Sequence, residues 1–229
     1  MTYDLLIGDR SYSSWSLRGW LLFAAFDLPV RVHMNEMYCS SFISTLEDWA
    51  PARTVPVARA QDGAQWSDTI AIAEGLAERH PEAGLWPDDP KARALARSLV
   101  AEMHCGFSAL REACPMNLRV KWENFVPSDG VRADLSRLDR VWSAARGIAG
   151  DGPWLFGVYS AADAFFAPVA MRIAGYGLPV SDLVQTYVDA HLNHDLLQIW
   201  RAEGEARNRT LTNYDMGLPT SPFPMAKPH

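Results

Sequence analysis

The segment Val55-Pro56-Val57, followed shortly afterwards by Ser67-Asp68-Thr69-Ile70-Ala71-Ile72-Ala73-Glu74, decides the fold of this chain. The first segment places a proline at the head of an apolar, strand-like run, which leaves the preceding N–H and C=O free to pair with an extended peptide. The second segment opens an amphipathic helix with polar residues, and the unpaired N–H groups of a helix start attract an anion. Together the two segments predict a binding place for a short acidic peptide.

Around these segments, positions 1–80 alternate between strands and helices. Alternating or continuous short apolar runs predict strands, and apolar residues at helical spacing predict helices. The strands are predicted at Tyr3–Ile7, Val30–Met34, Val55–Ala60 and Ala64–Ser67, and the helices at Trp15–Phe26 and Asp68–Arg79. The stretch from Ser40 to Trp49 is ambiguous and is compatible with a short helix. This order predicts a small α/β unit.

A proline-rich stretch at positions 81–90 separates this pattern from a different one and predicts a linker. Beyond it the periodicity is almost entirely helical, with helices predicted at 91–113, 128–149, 161–175, 180–191 and 193–206. Positions 208–229 contain further prolines and predict an irregular tail, either loose or packed across the body. The chain is therefore expected to hold an α/β unit at 1–80, a linker at 81–90 and an all-helical unit at 91–229.

Composition narrows the class of protein. With 229 residues, of which 48% are hydrophobic, the chain has ample material for a core. Its formal charge of −6 argues against a nucleic-acid binder, and no apolar run is long enough for a membrane span. The cysteines Cys39, Cys105 and Cys114 match neither a disulfide framework nor a zinc site, and no signal peptide is seen at Met1. These observations predict a soluble, cytoplasmic protein without a metal.

Four motifs in order resemble the cytosolic glutathione transferase superfamily. They are Ser13-Ser14-Trp15-Ser16-Leu17-Arg18, Val55-Pro56, Asp68-Thr69-Ile70-Ala71-Ile72 and Phe156-Gly157-Val158-Tyr159-Ser160-Ala161-Ala162-Asp163. The first looks like a bacterial serine-type branch that is distantly similar to the zeta and theta classes. The resemblance covers nearly the whole chain and implies a thioredoxin-like domain followed by a helical domain, glutathione as co-substrate, and a homodimer. In the last motif, Ser160 and Asp163 form a capping box with a folding role.

The serines between the first strand and the first helix are the candidates for thiol activation. A hydroxyl donor together with the positive end of a helix lowers the pKa of a thiol. We favour Ser13 as the group that contacts the glutathione sulfur, with Ser14 and Ser11 as alternates and Tyr12 as a weaker donor. Ser11 aligns with the zeta-class catalytic serine, whereas Ser13 and Ser14 match the bacterial branch. The competing interpretation is that these serines only cap the helix.

The resemblance also assigns the glutathione-binding residues. Pro56 is expected to be cis, so that the backbone of Val55 pairs with the cysteinyl part of glutathione as an added strand. Thr69 is expected to take the γ-glutamyl carboxylate and Asp68 to contact the amino group. Arg53 is a looser candidate for the glycyl carboxylate. The competing interpretations are a trans proline at a strand edge and a plain helix cap at Asp68.

A second substrate is expected to lie between the two units. His104, Phe107 and Arg111 fall on one face of the predicted helix 91–113 and, with Tyr12 and Trp15, form the expected electrophile pocket. Arg111 would polarise a carbonyl or hold a carboxylate. Packing between helices or subunits accounts for His104 and Arg111 equally well. Trp15 departs from the zeta pattern, which argues against the zeta-specific isomerisation of maleylacetoacetate.

The leading hypothesis is a glutathione transferase that activates the thiol for attack on a small hydrophobic electrophile. A glutathione-dependent isomerase or peroxidase would use the same site, and a non-catalytic binding protein would use the same scaffold. A thioredoxin-type disulfide oxidoreductase is disfavoured, because the sequence has no Cys-x-x-Cys motif.

Overall fold

The computed structural model describes residues 2–148 and 151–224. The strands are β1 (Tyr3–Ile7), β2 (Val30–Met34), β3 (Val57–Ala60), β4 (Gln65–Trp66), β5 (Val120–Trp122) and β6 (Thr220–Pro222). The helices are α1 (Ser14–Ala24), α2 (Ser41–Glu47), α3 (Thr69–Arg79), α4 (Pro90–Cys105), α5 (Ser108–Ala113), α6 (Asp129–Ile148), α7 (Ala161–Tyr176), α8 (Asp182–Leu192) and α9 (Asp195–Ala206). The predicted class, a thioredoxin-like α/β unit followed by helices, is confirmed.

The N-terminal unit is built on a four-stranded mixed sheet in the order β2-β1-β3-β4. Tyr3 on β1 lies opposite Val30 of the parallel strand β2 and opposite Ala60 of the antiparallel strand β3. Because a parallel pair needs a crossover, α1 runs across one face of the sheet between β1 and β2. The start of α1 is thereby fixed at the end of β1, beside the residues that precede β3.

Helix α1 packs very closely on the segment that precedes β3. Gly19 lies in the middle of α1, and a Cβ added there would come within 2.7 Å of Pro56 Cγ. Only a residue without a side chain fits this approach. The packing therefore sets the position of the Val55–Pro56 peptide relative to α1.

The central element of the helical unit is α7, which is buried along almost its whole length. Its start carries the predicted capping box, in which the Asp163 carboxylate accepts the Ser160 N–H at 2.8 Å. The same carboxylate accepts the Leu155 N–H at 3.0 Å and the Tyr187 hydroxyl at 2.8 Å. Because α7 packs on α1, α4 and α8, one continuous core joins the sheet to the helices.

The structure of the helical unit differs from the sequence-based prediction in one helix and adds a strand pair. The helix predicted at 91–113 breaks into α4 and α5, since Phe107 between them adopts a left-handed backbone with φ 55°. The strand pair β5–β6 was not predicted, because each strand is short and its partner is distant in sequence. Through this pairing the tail packs across the body, while positions 149, 150 and 225–229 lie outside the described residues. The boundaries at 80 and 90 stay predictions.

Within the described ranges, every helix is either too short or too polar to cross a bilayer.

Candidate functional site

A cleft of about 760 Å³ opens where the start of α1 meets the helical unit and the tail. The N-terminal unit contributes Ser14 and Val55 to its lining, and the helical unit contributes Arg111 and Arg172. Tyr214 closes one side from the tail. The cleft thus brings together side chains that are far apart in sequence.

Ser13 lines the cleft, but its hydroxyl is engaged inside the protein. It is buried as the N-cap of α1 and accepts the Ser16 N–H at 3.3 Å. It donates its own proton to Ser16 Oγ at 2.7 Å, and Ser16 Oγ also accepts the Gly8 N–H at 2.9 Å. In the structure Ser13 therefore acts as a cap of α1, in agreement with the capping interpretation.

Ser14 and Ser11 lie in different surroundings. Ser14 is the first residue of α1, is half-buried in the cleft, and accepts a hydrogen bond from Arg172 Nη2 at 3.4 Å. Ser11 is buried against α9, where a Cβ added to Gly204 would come within 2.9 Å of its Oγ. Ser11 is absent from the cleft lining. The alternate assignment to Ser11 is corrected, because the turn before α1 carries this side chain away from the cleft.

The peptide edge beside Pro56 is open to the cleft. The Val55–Pro56 bond is cis, as the resemblance implied. Along the described chain, no hydrogen bond joins the Val55 N–H or C=O to another group, and β3 begins only at Val57. Arg53 is exposed and does not line the cleft, whereas its neighbour Thr54 does. The backbone of Val55 is therefore available to an extended ligand.

The start of α3 combines a structural cap with a buried hydroxyl, and neither Asp68 nor Thr69 lines the cleft. Asp68 Oδ1 accepts the Ile70 N–H at 2.8 Å, so Asp68 is the N-cap of α3. Its second oxygen, Oδ2, lies 3.3 Å from His104 Nε2. The Thr69 side chain is fully buried, and its hydroxyl has no hydrogen-bond partner among the described residues. A buried hydroxyl without a partner is costly unless a ligand or water satisfies it.

Trp15 is surrounded by residues from the helical unit. Its ring centroid lies 5.0 Å from that of His104, and the Arg111 guanidinium lies 5.2 Å from the Trp15 ring centre. Arg111 and Trp15 line the cleft, while His104 is not part of the lining. Phe107 lies in the hydrophobic core, so its expected place in the electrophile pocket is corrected. The reason is the left-handed break, which ends the shared helix face.

Arg172 is a functional candidate that the sequence reasoning missed. It is buried on α7, where Nε donates to the Cys114 carbonyl at 2.8 Å and Nη1 to the Pro168 carbonyl at 3.2 Å. Burial, and then the charge of Arg111, lower the pKa of Arg172 to about 10, so it is charged at neutral pH. The one basic residue inside a largely apolar helix was the available signal.

Tyr214 is the second residue that was missed. Its ring is tilted by 44° against that of Tyr12, with ring centroids 4.9 Å apart, and burial raises the pKa of Tyr214 above its ordinary value. The tail reaches this position because Arg209 forms an ion pair with the buried Asp9, and the Tyr12 hydroxyl donates to the Arg209 carbonyl at 3.3 Å. The tail therefore supplies a wall of the cleft.

Among the residues that the structure describes, no group of three or more histidine, cysteine or acidic side chains is placed to hold a metal ion.

The chain was compared with family models, curated proteins and solved structures, and the similar proteins include glutathione transferases and maleylacetoacetate isomerases. No family model matches the chain. A maleylacetoacetate isomerase of Pseudomonas aeruginosa is 28% identical over 130 residues, which are 56% of this chain and 60% of that protein. A glutathione transferase homologue from Burkholderia, solved with bound glutathione, aligns with a TM-score of 0.66 and 23% identity over 90% of this chain and 100% of that one.

A maleylacetoacetate isomerase from Anaeromyxobacter dehalogenans, solved with dicarboxyethyl glutathione and citrate, aligns with a TM-score of 0.59 and 24% identity over 87% of this chain and 94% of that one. The chain spans 60% of the length of the curated relative that it matches. These similarities confirm the predicted fold.

Proposed function

Because the chain has the fold of the glutathione transferases, we propose that it is a glutathione-dependent enzyme that activates the thiol for attack on a small electrophile. The observation that carries this proposal is that Val55 and Ser14 line the same cleft. Val55 offers an unpaired peptide edge, and Ser14 offers a hydroxyl at the start of a helix. This pair can bind a cysteinyl residue and stabilise its thiolate.

The proposed ligand would lie across three places. Its cysteinyl backbone pairs with Val55, and its γ-glutamyl carboxylate approaches the buried Thr69 hydroxyl and the N–H groups at the start of α3. The second oxygen of Asp68 would contact the ammonium group. The glycyl carboxylate would leave the cleft past Thr54 toward the exposed Arg53.

The electrophile would bind on the opposite wall of the cleft. That wall is largely apolar, with Trp15, Met116 and Tyr214 among its residues, and Arg111 provides its cationic group. A small hydrophobic molecule with a polarised carbonyl or a carboxylate fits this combination. Tyr12 contributes to the wall beside Tyr214.

A second candidate reaction is glutathione-dependent isomerisation. The observation that favours it is the similarity to the Pseudomonas aeruginosa maleylacetoacetate isomerase. Transfer and isomerisation both begin with the glutathione thiolate, so the same protein side chains would serve either reaction. Product analysis with an activated aryl chloride and with a cis-configured enone acid distinguishes them.

The test is calorimetric titration with glutathione, using Thr69→Val as the informative variant. Valine keeps the volume and removes a hydroxyl that has no protein partner, so we expect unchanged or higher stability. We expect at least tenfold weaker binding, because a hydrogen bond to a carboxylate contributes about 1.5–3 kcal/mol. Thr186→Val, on the exposed face of α8, is the control and should bind like wild type.

Absence of wild-type binding at millimolar glutathione would overturn the proposal and leave a non-catalytic scaffold. Binding that Thr69→Val does not weaken would overturn the placement of the γ-glutamyl group. We further propose that the protein is a cytoplasmic homodimer. Size-exclusion chromatography coupled to light scattering tests the dimeric assembly.

A further inference from the structure

With Ser14 as the hydroxyl that meets the glutathione sulfur, we propose that Arg172 is a positioning residue which directs the Ser14 proton into the cleft. The inference rests on the proposed function and deepens it. It differs from the sequence-based preference for Ser13 and adds a residue from the buried helix α7. The hydrogen-bonding capacity of the two serines separates them.

The Ser13 hydroxyl is engaged with Ser16 at the start of α1. A serine hydroxyl has one proton to donate and two lone pairs to accept with. The Ser13 proton goes to Ser16 Oγ at 2.7 Å, and one of its lone pairs takes the Ser16 N–H. To reach a sulfur, Ser13 would have to exchange the donor and acceptor roles that it shares with Ser16.

Ser14 is in the opposite situation. Its Oγ accepts from Arg172 Nη2 at 3.4 Å, and a guanidinium can only donate. The proton of Ser14 must therefore point away from Arg172. In the described part of the chain no protein acceptor takes that proton, and the half-buried side chain borders the cleft. A ligand atom in the cleft is the available acceptor.

The charge of Arg172 suits an anionic acceptor. All three of its hydrogen bonds go to neutral oxygens, namely the carbonyls of Cys114 and Pro168 and the hydroxyl of Ser14. Its positive charge is thus fixed and buried without a carboxylate in contact. A thiolate that accepts from Ser14 would be stabilised by this charge, and a hydroxyl polarised by a cation is a stronger donor.

The proton balance of the step is simple. The glutathione S–H bond breaks, its electron pair stays on sulfur, and its proton passes to water in the open cleft. Ser14 keeps its own proton and donates it as a hydrogen bond to the thiolate. Ser14 is therefore neither a base nor a nucleophile.

Other charged or titratable groups also face this place and must be controlled for. They come from α5, from the segment before α2, from the turn before α1 and from the tail: Arg111, Glu112, Tyr38, Cys39, Tyr12 and Tyr214. Burial keeps Tyr214 protonated, since it raises the pKa of that phenol. A measurement that follows the glutathione sulfur itself separates the thiolate from the protein groups.

The experiment is a pH titration of the thiolate absorbance near 240 nm in the glutathione complex. The same protein saturated with S-methylglutathione is subtracted, so that Cys39 and the tyrosines cancel. We expect Ser14→Ala to raise the pKa of the bound thiol by about 1–2 units, as loss of a hydrogen bond to an anion implies. Ser13→Ala, the matched control, should lower stability but leave that pKa unchanged.

Arg172 is tested as a partner of Ser14. We expect Arg172→Met to raise the thiol pKa by about one unit, and Arg172→Lys to restore part of that shift because it keeps the charge. In the Ser14→Ala background the effect of Arg172→Met should shrink, since residues that act through one another are not additive. A purely structural role would change the melting temperature and leave the thiol pKa of the folded complex unaltered.

The outcomes are separable. No calorimetric binding of glutathione refutes the proposed function itself. Binding with a thiol pKa that Ser13→Ala shifts and Ser14→Ala does not overturns the choice of serine. A full Arg172→Met effect in the absence of Ser14 overturns the positioning role. Where Arg172→Met fails to fold, the comparison of Ser13→Ala, Ser14→Ala and Arg172→Lys still decides.

Discussion

Replacing Gly19 by alanine tests whether the packing of α1 holds the peptide edge in place. A Cβ at position 19 would lie 2.7 Å from Pro56 Cγ and 2.9 Å from Pro56 Cβ. Carbon atoms in contact prefer about 3.5–4.0 Å, so α1 and the Val55–Pro56 segment must separate by about 1 Å. The displaced backbone would be the one proposed to pair with glutathione.

Two opposing terms set the effect on stability. Overpacking a buried contact costs about 1–3 kcal/mol, and alanine in place of glycine inside a helix returns about 1 kcal/mol. We therefore expect Gly19→Ala to lower the free energy of unfolding by about 0–2 kcal/mol. Binding should suffer more, because a shift of this size weakens both backbone hydrogen bonds, which are worth about 1 kcal/mol each. That predicts at least fivefold lower affinity for glutathione.

The matched control is Gly147→Ala near the end of α6, where an added Cβ meets nothing within 4 Å. We expect it to leave affinity unchanged and to raise stability by up to about 1 kcal/mol. Urea unfolding gives the stability of both variants, and calorimetry gives their affinity for glutathione. If Gly19→Ala binds glutathione as tightly as Gly147→Ala does, the reasoning that α1 positions the Val55 edge is refuted.

Two further predictions concern the buried groups of the helical unit. Asp163→Ala should cost about 3–5 kcal/mol in urea unfolding, more than a lost cap alone, because four buried hydrogen-bond donors lose their acceptor. The exposed N-cap variant Asp89→Ala should cost only about 0.5–2 kcal/mol, and equal costs would contradict this reasoning. Burial, and to a smaller extent the charge of His194, lower the pKa of His191 from the ordinary 6.5 to about 3. Between these two pH values the unfolded chain binds a proton that the folded protein does not bind. The free energy of unfolding therefore falls as the pH falls through this range. His191→Leu should remove about 2 kcal/mol of the loss between pH 6 and 4.5, measured by unfolding at both pH values, and an unchanged slope would count against a neutral His191.

The N-terminal unit was predictable because its signals are local. The strands Tyr3–Ile7 and Val30–Met34 follow from apolar runs that end at turn residues, and the structure places both at the predicted bounds. Asp68 before an apolar helix signals an N-cap, and the structure confirms that cap. The capping box of α7 is equally local.

The missed features depend on contacts between distant segments. Nothing near Val120–Trp122 predicts that the tail will pair with it, since the partner strand begins at Thr220. At the break, Phe107 has a left-handed backbone conformation, which is unfavourable for a large aromatic residue. Packing of the Phe107 ring in the core stabilises this conformation. In the site, Arg172 meets Ser14 only because α7 packs on α1.

A buried polar or charged side chain indicates a function only where its surroundings border a cavity. His191 is completely buried with neither ring nitrogen paired among the described residues, yet it lies between Trp154 and Tyr187 and lines none of the cleft. Arg172 is nearly as buried, but every one of its hydrogen-bonding partners is neutral and one of them, Ser14, faces the cleft. The cost of desolvating His191 is avoided by keeping it neutral, whereas Arg172 stays charged and its field is directed at the cleft. The charge of Arg172 therefore stabilises an anion that binds at the start of α1. The neutral His191 offers no such stabilisation to a ligand.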